Sequence, residues 1–190
     1  MFLSIGEYLP DQPDYQNPGS SECNNVYPRT AQTYGPLSGL STISDALDSR
    51  CQGAIPVQDS SGNYYMFSGS ASKLSKIVAN TTTWADVSKV GGYTVDPEGW
   101  WSLAQFGNQV IAAQINNNIQ VYTLGTSTLF ADLSATAPKA KYLAVCKDFL
   151  VAGNTTDRTY GTQNQRIWWS AINDATNWPT PGTTAAAQVQ

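Results

Sequence analysis

The sequence predicts an all-β protein: a propeller-like array of four-stranded meanders behind an extended, proline-rich N-terminal arm, with too few repeats for a complete propeller. Charged residues make up only 13% of the 190 residues, and short apolar strands alternate with turns rich in Gly, Asn and Ser. Apolar residues do not follow a helical period beyond two turns. The strand-and-turn units recur at the period of about 40–50 residues that is typical of propeller blades.

Residues 1–53 differ in composition from the rest of the chain. Five prolines fall within the first 36 residues, among Asp, Asn and Gly residues and isolated tyrosines. A disordered tail is the alternative, but such tails are poor in aromatic residues. We therefore predict an arm that lies along another surface, with a strand or a short helical turn at residues 41–47. Its candidate contact residues are Tyr8, Pro10, Asp11, Pro13, Tyr27 and Pro28.

Residues 54–190 contain a repeat, with units at about 54–90, 91–136 and 137–180. Residues 82–88 match residues 128–134 at an offset of 46, and Trp178 follows 48 residues later. A β-sandwich also has evenly spaced strands, but it does not require one pattern to return at one offset. In the third unit we predict a long loop over residues 153–165. The repeat anchors are Trp84, Asp86, Phe130 and Asp132.

The stretch from Arg166 to Trp178 has the most distinctive pattern in the chain. Residues 166–170 alternate as a strand that carries Trp168 and Trp169, and alternation places one ring of such a pair in the core. Residues 173–177, Asn-Asp-Ala-Thr-Asn, favour a turn because their short polar side chains bond to the backbone. Trp178 then anchors the last strand of the unit. Core packing is favoured over a sugar-stacking platform for these tryptophans.

The chain lacks the residues that several classes of function need. Histidine is absent, which removes the commonest general base and zinc ligand. Asp86 and Asp132 occupy equivalent places in successive repeats, so we interpret them as structural carboxylates at strand ends. Residues 59–63 fit a hairpin turn better than a calcium loop. We predict no catalytic residues, no metal and no cofactor.

Net charge, apolar runs and cysteine spacing indicate which partners and which cellular compartment the chain has. The net charge is −4 and the isoelectric point about 4.6, unlike the basic footprint of a nucleic-acid binder. No apolar run reaches the roughly 18 residues that a membrane helix needs, and the N-terminus does not resemble a signal peptide. The three cysteines fit no pairing or zinc spacing. We expect free thiols and synthesis in a cytoplasm.

Four short motifs follow one another along the chain, at residues 9–28, 101–108, 146–153 and 165–178. The first is the proline-rich N-terminal pattern. The second runs from Trp101 to Asn108 and the third from Cys146 to Gly153. The fourth contains Arg166, Trp168, Trp169, Ser170, Asp174 and Trp178. In this order the four motifs resemble those of the phage tail nozzle family, also called tail tubular protein B or packaged-DNA stabilisation protein.

The resemblance implies a structural, non-enzymatic protein of a short-tailed phage virion, made in the host cytoplasm. Such proteins form a homo-oligomeric ring, with six copies expected, below the portal and head-tail adaptor. Tail fibre or spike proteins are further expected partners, and genomic DNA passes through the lumen without tight binding; no membrane contact is implied. Family members are usually much longer than 190 residues. The alternative function is a carbohydrate-binding propeller, lectin or glycosidase-like, built on its exposed tryptophans.

Three repeats cannot close a ring, because propellers typically have four to eight blades. The outer units of an open stack leave unburied faces. We therefore predict that other copies, a second chain or a continuation after Gln190 supplies closure. Residues 185–190 have the pattern of the start of another element.

Overall fold

A computed structural model describes residues 6–30 and 33–178 and the backbone of residues 187–189. The chain divides into two compact units, residues 1–42 and 43–190. In the described ranges every regular element is a β-strand, which confirms the all-β prediction. None of these residues belongs to a helix long and apolar enough to cross a bilayer.

The first unit contains an antiparallel hairpin of β1 (Val26–Thr30) and β2 (Thr33–Pro36). Before it, a parallel bridge joins Tyr8 to Ser20. Asn17 closes the loop between these two residues: its Oδ1 accepts the Gly19 N–H at 2.8 Å, and its Nδ2 donates to the Leu9 carbonyl at 3.1 Å. The turn formers of the N-terminal region thus fold it back on itself locally.

The second unit starts with a meander, the first sheet, of β3 (Gly53–Gln58), β4 (Tyr64–Gly69), β5 (Leu74–Ile77) and β6 (Trp84–Asp86). Residues 59–63 form the predicted hairpin turn. Asp59 accepts the backbone N–H groups of Ser61 at 2.8 Å and Asn63 at 2.9 Å. Gly62 has a φ of +87°, a conformation that glycine adopts without steric cost.

Two more meanders follow, and both keep sequential strand order. The second sheet consists of β7 (Ser102–Phe106), β8 (Gln109–Ala113), β9 (Gln120–Thr123) and β10 (Ala131–Asp132). The third consists of β11 (Lys139–Cys146), β12 (Phe149–Asp157), β13 (Gly161–Trp169) and β14 (Ala187–Val189). The predicted series of three four-stranded meanders is confirmed.

The loop predicted over residues 153–165 was wrong. These residues form the end of a long β12–β13 hairpin, because Asp157 and Gly161 (φ +66°) turn the chain within three residues. Trp178 lies outside any strand and is buried beside β13; its role as an anchor stays a prediction. Residues 187–189 form a further strand, which pairs back onto β13 as the fourth strand of the third sheet; residues 185, 186 and 190 lie outside the described part.

Residues 41–47 are neither strand nor helical turn, again contrary to expectation. Asp45 explains this, because its polar groups bond the turn before β6 instead of a neighbouring strand. Its backbone N–H donates to the Thr82 carbonyl at 2.8 Å. Its two carboxylate oxygens accept the hydroxyls of Thr82 and Thr83, each at 3.1 Å.

Two hydrophobic clusters join the three sheets. One lies between the first and second sheets and includes Phe67, Val110 and Ala112; the other lies between the second and third and includes Ile111 and Ala113. Successive residues of β8 thus enter opposite clusters, as side-chain alternation requires. The second sheet is therefore covered on both faces.

The first strands of the three sheets lie next to one another, β3 beside β7 and β7 beside β11. The Gln105 side chain bridges the first pair, accepting the Gln58 N–H at 3.2 Å and donating to the Gln58 carbonyl at 2.5 Å. Ser102 Oγ accepts the Leu143 N–H at 2.8 Å in the second pair. The result is an open, propeller-like array in which each meander's first strand is innermost.

Candidate functional site

A cleft of about 860 Å³ opens between the second and third sheets. Its walls come from the end of the second sheet, from the β12–β13 turn and from the 166–178 stretch, and they include Asp132, Lys139, Asp157, Tyr160, Trp168 and Trp178. The structure thus brings one repeat anchor and two motif tryptophans together at one place.

Arg166 and Asp157 form an ion pair beside this cleft. Arg166 Nη1 contacts Asp157 Oδ2, and the side chains are 1% and 10% exposed. The Tyr160 ring lies 4.7 Å from the guanidinium carbon and the Trp168 ring 5.9 Å, both within cation–π range. Asp157 Oδ1 also accepts the N–H groups of Thr159 and Tyr160, at 2.7 and 2.8 Å. One carboxylate therefore shapes the hairpin turn and neutralises a buried cation.

The two buried motif tryptophans pack edge to face. The Trp168 and Trp178 ring centroids are 6.3 Å apart with an interplanar angle of 79°, a favourable aromatic geometry. Trp178 Nε1 donates to the Ala175 carbonyl at 2.7 Å. Trp169, the neighbour of the buried Trp168, is half-buried. The prediction that one ring of this pair lies in the core is confirmed. Trp101 is likewise buried, whereas the adjacent Trp100 is 41% exposed.

Ser170 and Asp174 hold backbone in place. Ser170 Oγ accepts the Leu150 N–H at 3.1 Å and donates to the Ala171 carbonyl at 3.0 Å. Asp174 accepts both the backbone N–H and the hydroxyl of Thr176, at 2.9 and 2.6 Å. The Asn-rich run is the turn that the sequence predicted.

The repeat anchors have structural partners. Phe130 is buried against Phe67 and Tyr122, with ring centroids 5.8 and 5.3 Å away. Trp84 is half-buried, and its Nε1 donates to Ser44 Oγ at 3.2 Å and to the Asp45 carbonyl at 3.1 Å. The segment before the first sheet therefore covers part of that sheet's outer edge.

Asp86 and Asp132 act as hydrogen-bond acceptors at strand ends, as predicted. Asp86 accepts the Ser88 N–H at 2.9 Å. Burial alone raises the pKa of Asp132, but hydrogen bonds from Lys89, Gln120 and Asn118 outweigh it and lower the pKa to about 2. For Asp86, hydrogen bonds from Ser88 and the nearby Lys73 likewise outweigh burial and lower the pKa. A general acid at neutral pH needs the opposite shift.

The arm residues lie in the first unit, where most are exposed. Tyr8 is 49% exposed and Tyr27 is 40% exposed. Pro10 and Asp11 form a turn, and the Arg29 guanidinium lies 5.5 Å from the Tyr27 ring. Pro13 and Pro28 are also exposed. Their role as contacts stays a prediction.

Sequence reasoning missed Asp157 and Tyr160 in the cleft. Neither lies in a recognised motif. Because residues 153–165 were predicted as a loop, the sequence analysis did not place these two residues at a hairpin turn. A signal was present, since Asp-x-x-x-Gly between two runs of Thr and Asn is a turn pattern. Around them Arg166 Nε and Nη2 and Trp168 Nε1 are buried without a hydrogen-bond partner. These groups can donate to an acceptor oxygen.

No group of three or more His, Cys, Asp or Glu side chains capable of holding a metal occurs among the described residues. All three cysteines are free thiols, in agreement with the expectation from their spacing.

No protein-family model matches the chain, and no curated protein matches it either. Among solved structures, the chain is similar to the one described as the crystal structure of the computationally designed Ika4 protein. The identity is 15%, the match covers 79% of this chain and 84% of that chain, and the TM-score is 0.48. We draw no conclusion from a likeness at this level.

Proposed function

We propose that this chain is a structural component of a short-tailed phage tail, the nozzle below the portal and adaptor, and not an enzyme. The observation that carries the proposal is the burial of the motif on which the resemblance depends. Arg166, Trp168, Ser170 and Trp178 are between 0 and 6% exposed. Side chains in such positions determine how the third sheet packs, so the shared motif belongs to a common scaffold.

In this role the chain assembles into a homo-oligomeric ring, with six copies expected. The ring contacts the portal or head-tail adaptor on one side and carries tail fibre or spike proteins. Its location is the virion tail, after synthesis in the host cytoplasm. Electron microscopy of the purified chain tests the proposal: ring-shaped particles support it, and a uniform population of single chains contradicts it.

Genomic DNA passes through the lumen of the ring without being held. The chain carries 14 acidic and 10 basic residues, and tight nonspecific DNA binding needs Lys or Arg contacts to many phosphates. We expect a dissociation constant weaker than about 10⁻⁴ M for a duplex near physiological salt, the weak end of nonspecific binding. Fluorescence anisotropy with a labelled duplex measures this, with a basic DNA-binding protein as the positive control. Tight binding with a steep salt dependence contradicts the conduit role.

A carbohydrate-binding module is the second candidate, favoured by one exposed aromatic group. Trp100 is 41% exposed and its ring lies 5.8 Å from that of Tyr142. Trp100 borders a depression of about 420 Å³ that is also lined by Asp96, Glu98 and Asn164. The side-chain oxygens of these three residues can accept hydrogen bonds from sugar hydroxyls. A glycan array separates the candidates: binding that Trp100→Ala abolishes favours the sugar-binding module, and no binding favours the tail component.

A further inference from the structure

We propose that the cleft between the second and third sheets binds a small organic acid, whose carboxylate pairs with an unoccupied edge of the Arg166 guanidinium. The cleft has a volume of about 860 Å³, which lies within the usual range for small-molecule sites. The inference does not rest on the proposed function, because it concerns a site within one chain and not the assembly of several chains.

Arg166 forms a hydrogen bond through only one of its side-chain nitrogens. Nη1 contacts Asp157, whereas Nε and Nη2 are buried without a hydrogen-bond partner among the described residues. These two nitrogens lie side by side along one edge of the planar guanidinium. Such an edge binds a carboxylate through two parallel hydrogen bonds. The unpaired atoms therefore make up one complete bidentate site.

The unpaired polar atoms of the described chain are concentrated at this place. Five buried side-chain nitrogen or oxygen atoms lack a partner there, and three of them belong to Arg166 and Trp168. The third of these three is Trp168 Nε1, in a ring whose centroid lies 5.9 Å from the guanidinium carbon. A buried donor without an acceptor is unfavourable, and more so when it is charged. Since all three atoms are donors, an anion with acceptor oxygens suits them.

Arg166 lies directly behind the wall of the cleft. Its neighbours Asp157, Tyr160 and Trp168 all line the cleft. The unpaired nitrogens are closed off from solvent, so a ligand reaches them when the end of the β12–β13 hairpin moves aside. Residues 158–160 form that end and are exposed. Its displacement therefore disturbs little of the packed core.

The charges around the cleft favour a ligand with a single negative charge. Lys139 and Arg158 line the cleft and form no ion pair with a described carboxylate, so they attract an anion. Asp132 and Asp157 line it as well, each already paired with a cation. Two fixed carboxylates repel a doubly charged phosphate more strongly than a monocarboxylate.

The remaining wall of the cleft mixes hydroxyl groups with methyl groups. The hydroxyls belong to Ser134, Thr136 and Thr159, and the alanines are Ala135 and Ala137. A compact organic acid with an apolar or hydroxylated body fits such a wall. Benzoate is therefore a suitable probe, and benzamide, which has nearly the same shape and no charge, is the matched neutral compound.

Nitrogen-15 NMR of the full chain tests the site. During a titration with benzoate at constant ionic strength, we expect the Arg166 Nε–H and Trp168 Nε1–H signals to move downfield along one saturation curve. The expected dissociation constant is about 1 mM or tighter. Benzamide should bind at least tenfold more weakly, because it lacks the charge that strengthens the guanidinium contact. If neither signal moves in a large excess of benzoate, or if benzamide binds equally well, the inference is wrong.

Three variants locate the binding. Arg166→Lys keeps a cation beside Asp157 but lacks the two-nitrogen edge, so benzoate should bind at least tenfold more weakly. Arg158→Ala, at an exposed residue of the cleft, should weaken binding about threefold, the scale of one exposed ion pair. Arg29→Ala removes the same charge at an exposed residue that does not line the cleft, and as the matched control it should leave the affinity unchanged.

The two alanine variants change exposed side chains, so they test the site even where Arg166→Lys does not fold. Equal benzoate affinities of Arg158→Ala and Arg29→Ala would place the ligand outside the cleft and overturn the inference. An unchanged affinity in folded Arg166→Lys would do the same, because the carboxylate would then not depend on the guanidinium edge.

Discussion

Trp178→Ala is expected to lower the free energy of unfolding by about 3–5 kcal/mol, the usual cost of truncating a buried tryptophan. Trp178 is 2% exposed and lies within the cluster between the second and third sheets. The substitution removes its edge-to-face contact with Trp168 and leaves a cavity that the surrounding strands cannot fill. Urea unfolding followed by tryptophan fluorescence and circular dichroism measures the change.

Trp100→Ala is the matched control for this experiment. Trp100 is 41% exposed and its main aromatic contact is Tyr142, so the expected loss is about 1 kcal/mol, the scale of one aromatic pair. If both variants unfold at the same urea concentration, Trp178 does not anchor the third sheet. That result would also remove the main support for interpreting the motif as scaffold.

The meanders could be predicted because their signals are local. Asp86 and Asp132 each end a fourth strand, and the aromatic residue two positions earlier packs against the preceding sheet or segment. The same strand-end geometry therefore selects the same residues 46 positions apart. The Asp59 turn is equally local, since its carboxylate bonds N–H groups two and four residues ahead.

The long hairpin of the third sheet could not be predicted in this way. Residues 153–157 and 161–165 consist of Gly, Asn, Thr, Asp and Gln, so they lack the apolar alternation that marks a half-buried strand. Their strand pairing depends on the ladder already formed by residues 149–152. The fourth strand was missed for a similar reason: it follows Trp178 by nine residues and pairs with a strand formed well before it.

The candidate cleft depends even more on tertiary context. Asp132 comes from the second sheet, whereas Asp157, Tyr160 and Trp168 come from one hairpin of the third. Nothing in the sequence spacing joins these two sets. The ion pair of Arg166 with Asp157 becomes predictable only once the hairpin is known, because the hairpin returns the chain and brings position 166 near position 157.

Asp157→Ala is expected to destabilise the protein by about 3–5 kcal/mol, because it leaves the buried Arg166 cation without a counter-charge. Arg166 is 1% exposed and already has two nitrogens without acceptors, so no neighbouring group among the described residues takes over the lost contact. The alanine also removes the acceptor for the N–H groups of Thr159 and Tyr160. Urea unfolding of the variant measures the combined effect.

Two further variants separate the charge from the turn. Asp157→Asn keeps an oxygen for the turn but removes the negative charge. Its free energy of unfolding should therefore lie between that of Asp157→Ala and that of the unsubstituted chain. Adding Arg166→Met to it removes the buried cation, whose lack of a counter-charge is the main cost of Asp157→Asn. We therefore expect the double variant to be more stable than Asp157→Asn alone, with a coupling energy of about 0.5–3 kcal/mol in the double-mutant cycle. Additive effects of the two substitutions would show that the pair contributes through separate contacts and that the guanidinium is neutralised by another group.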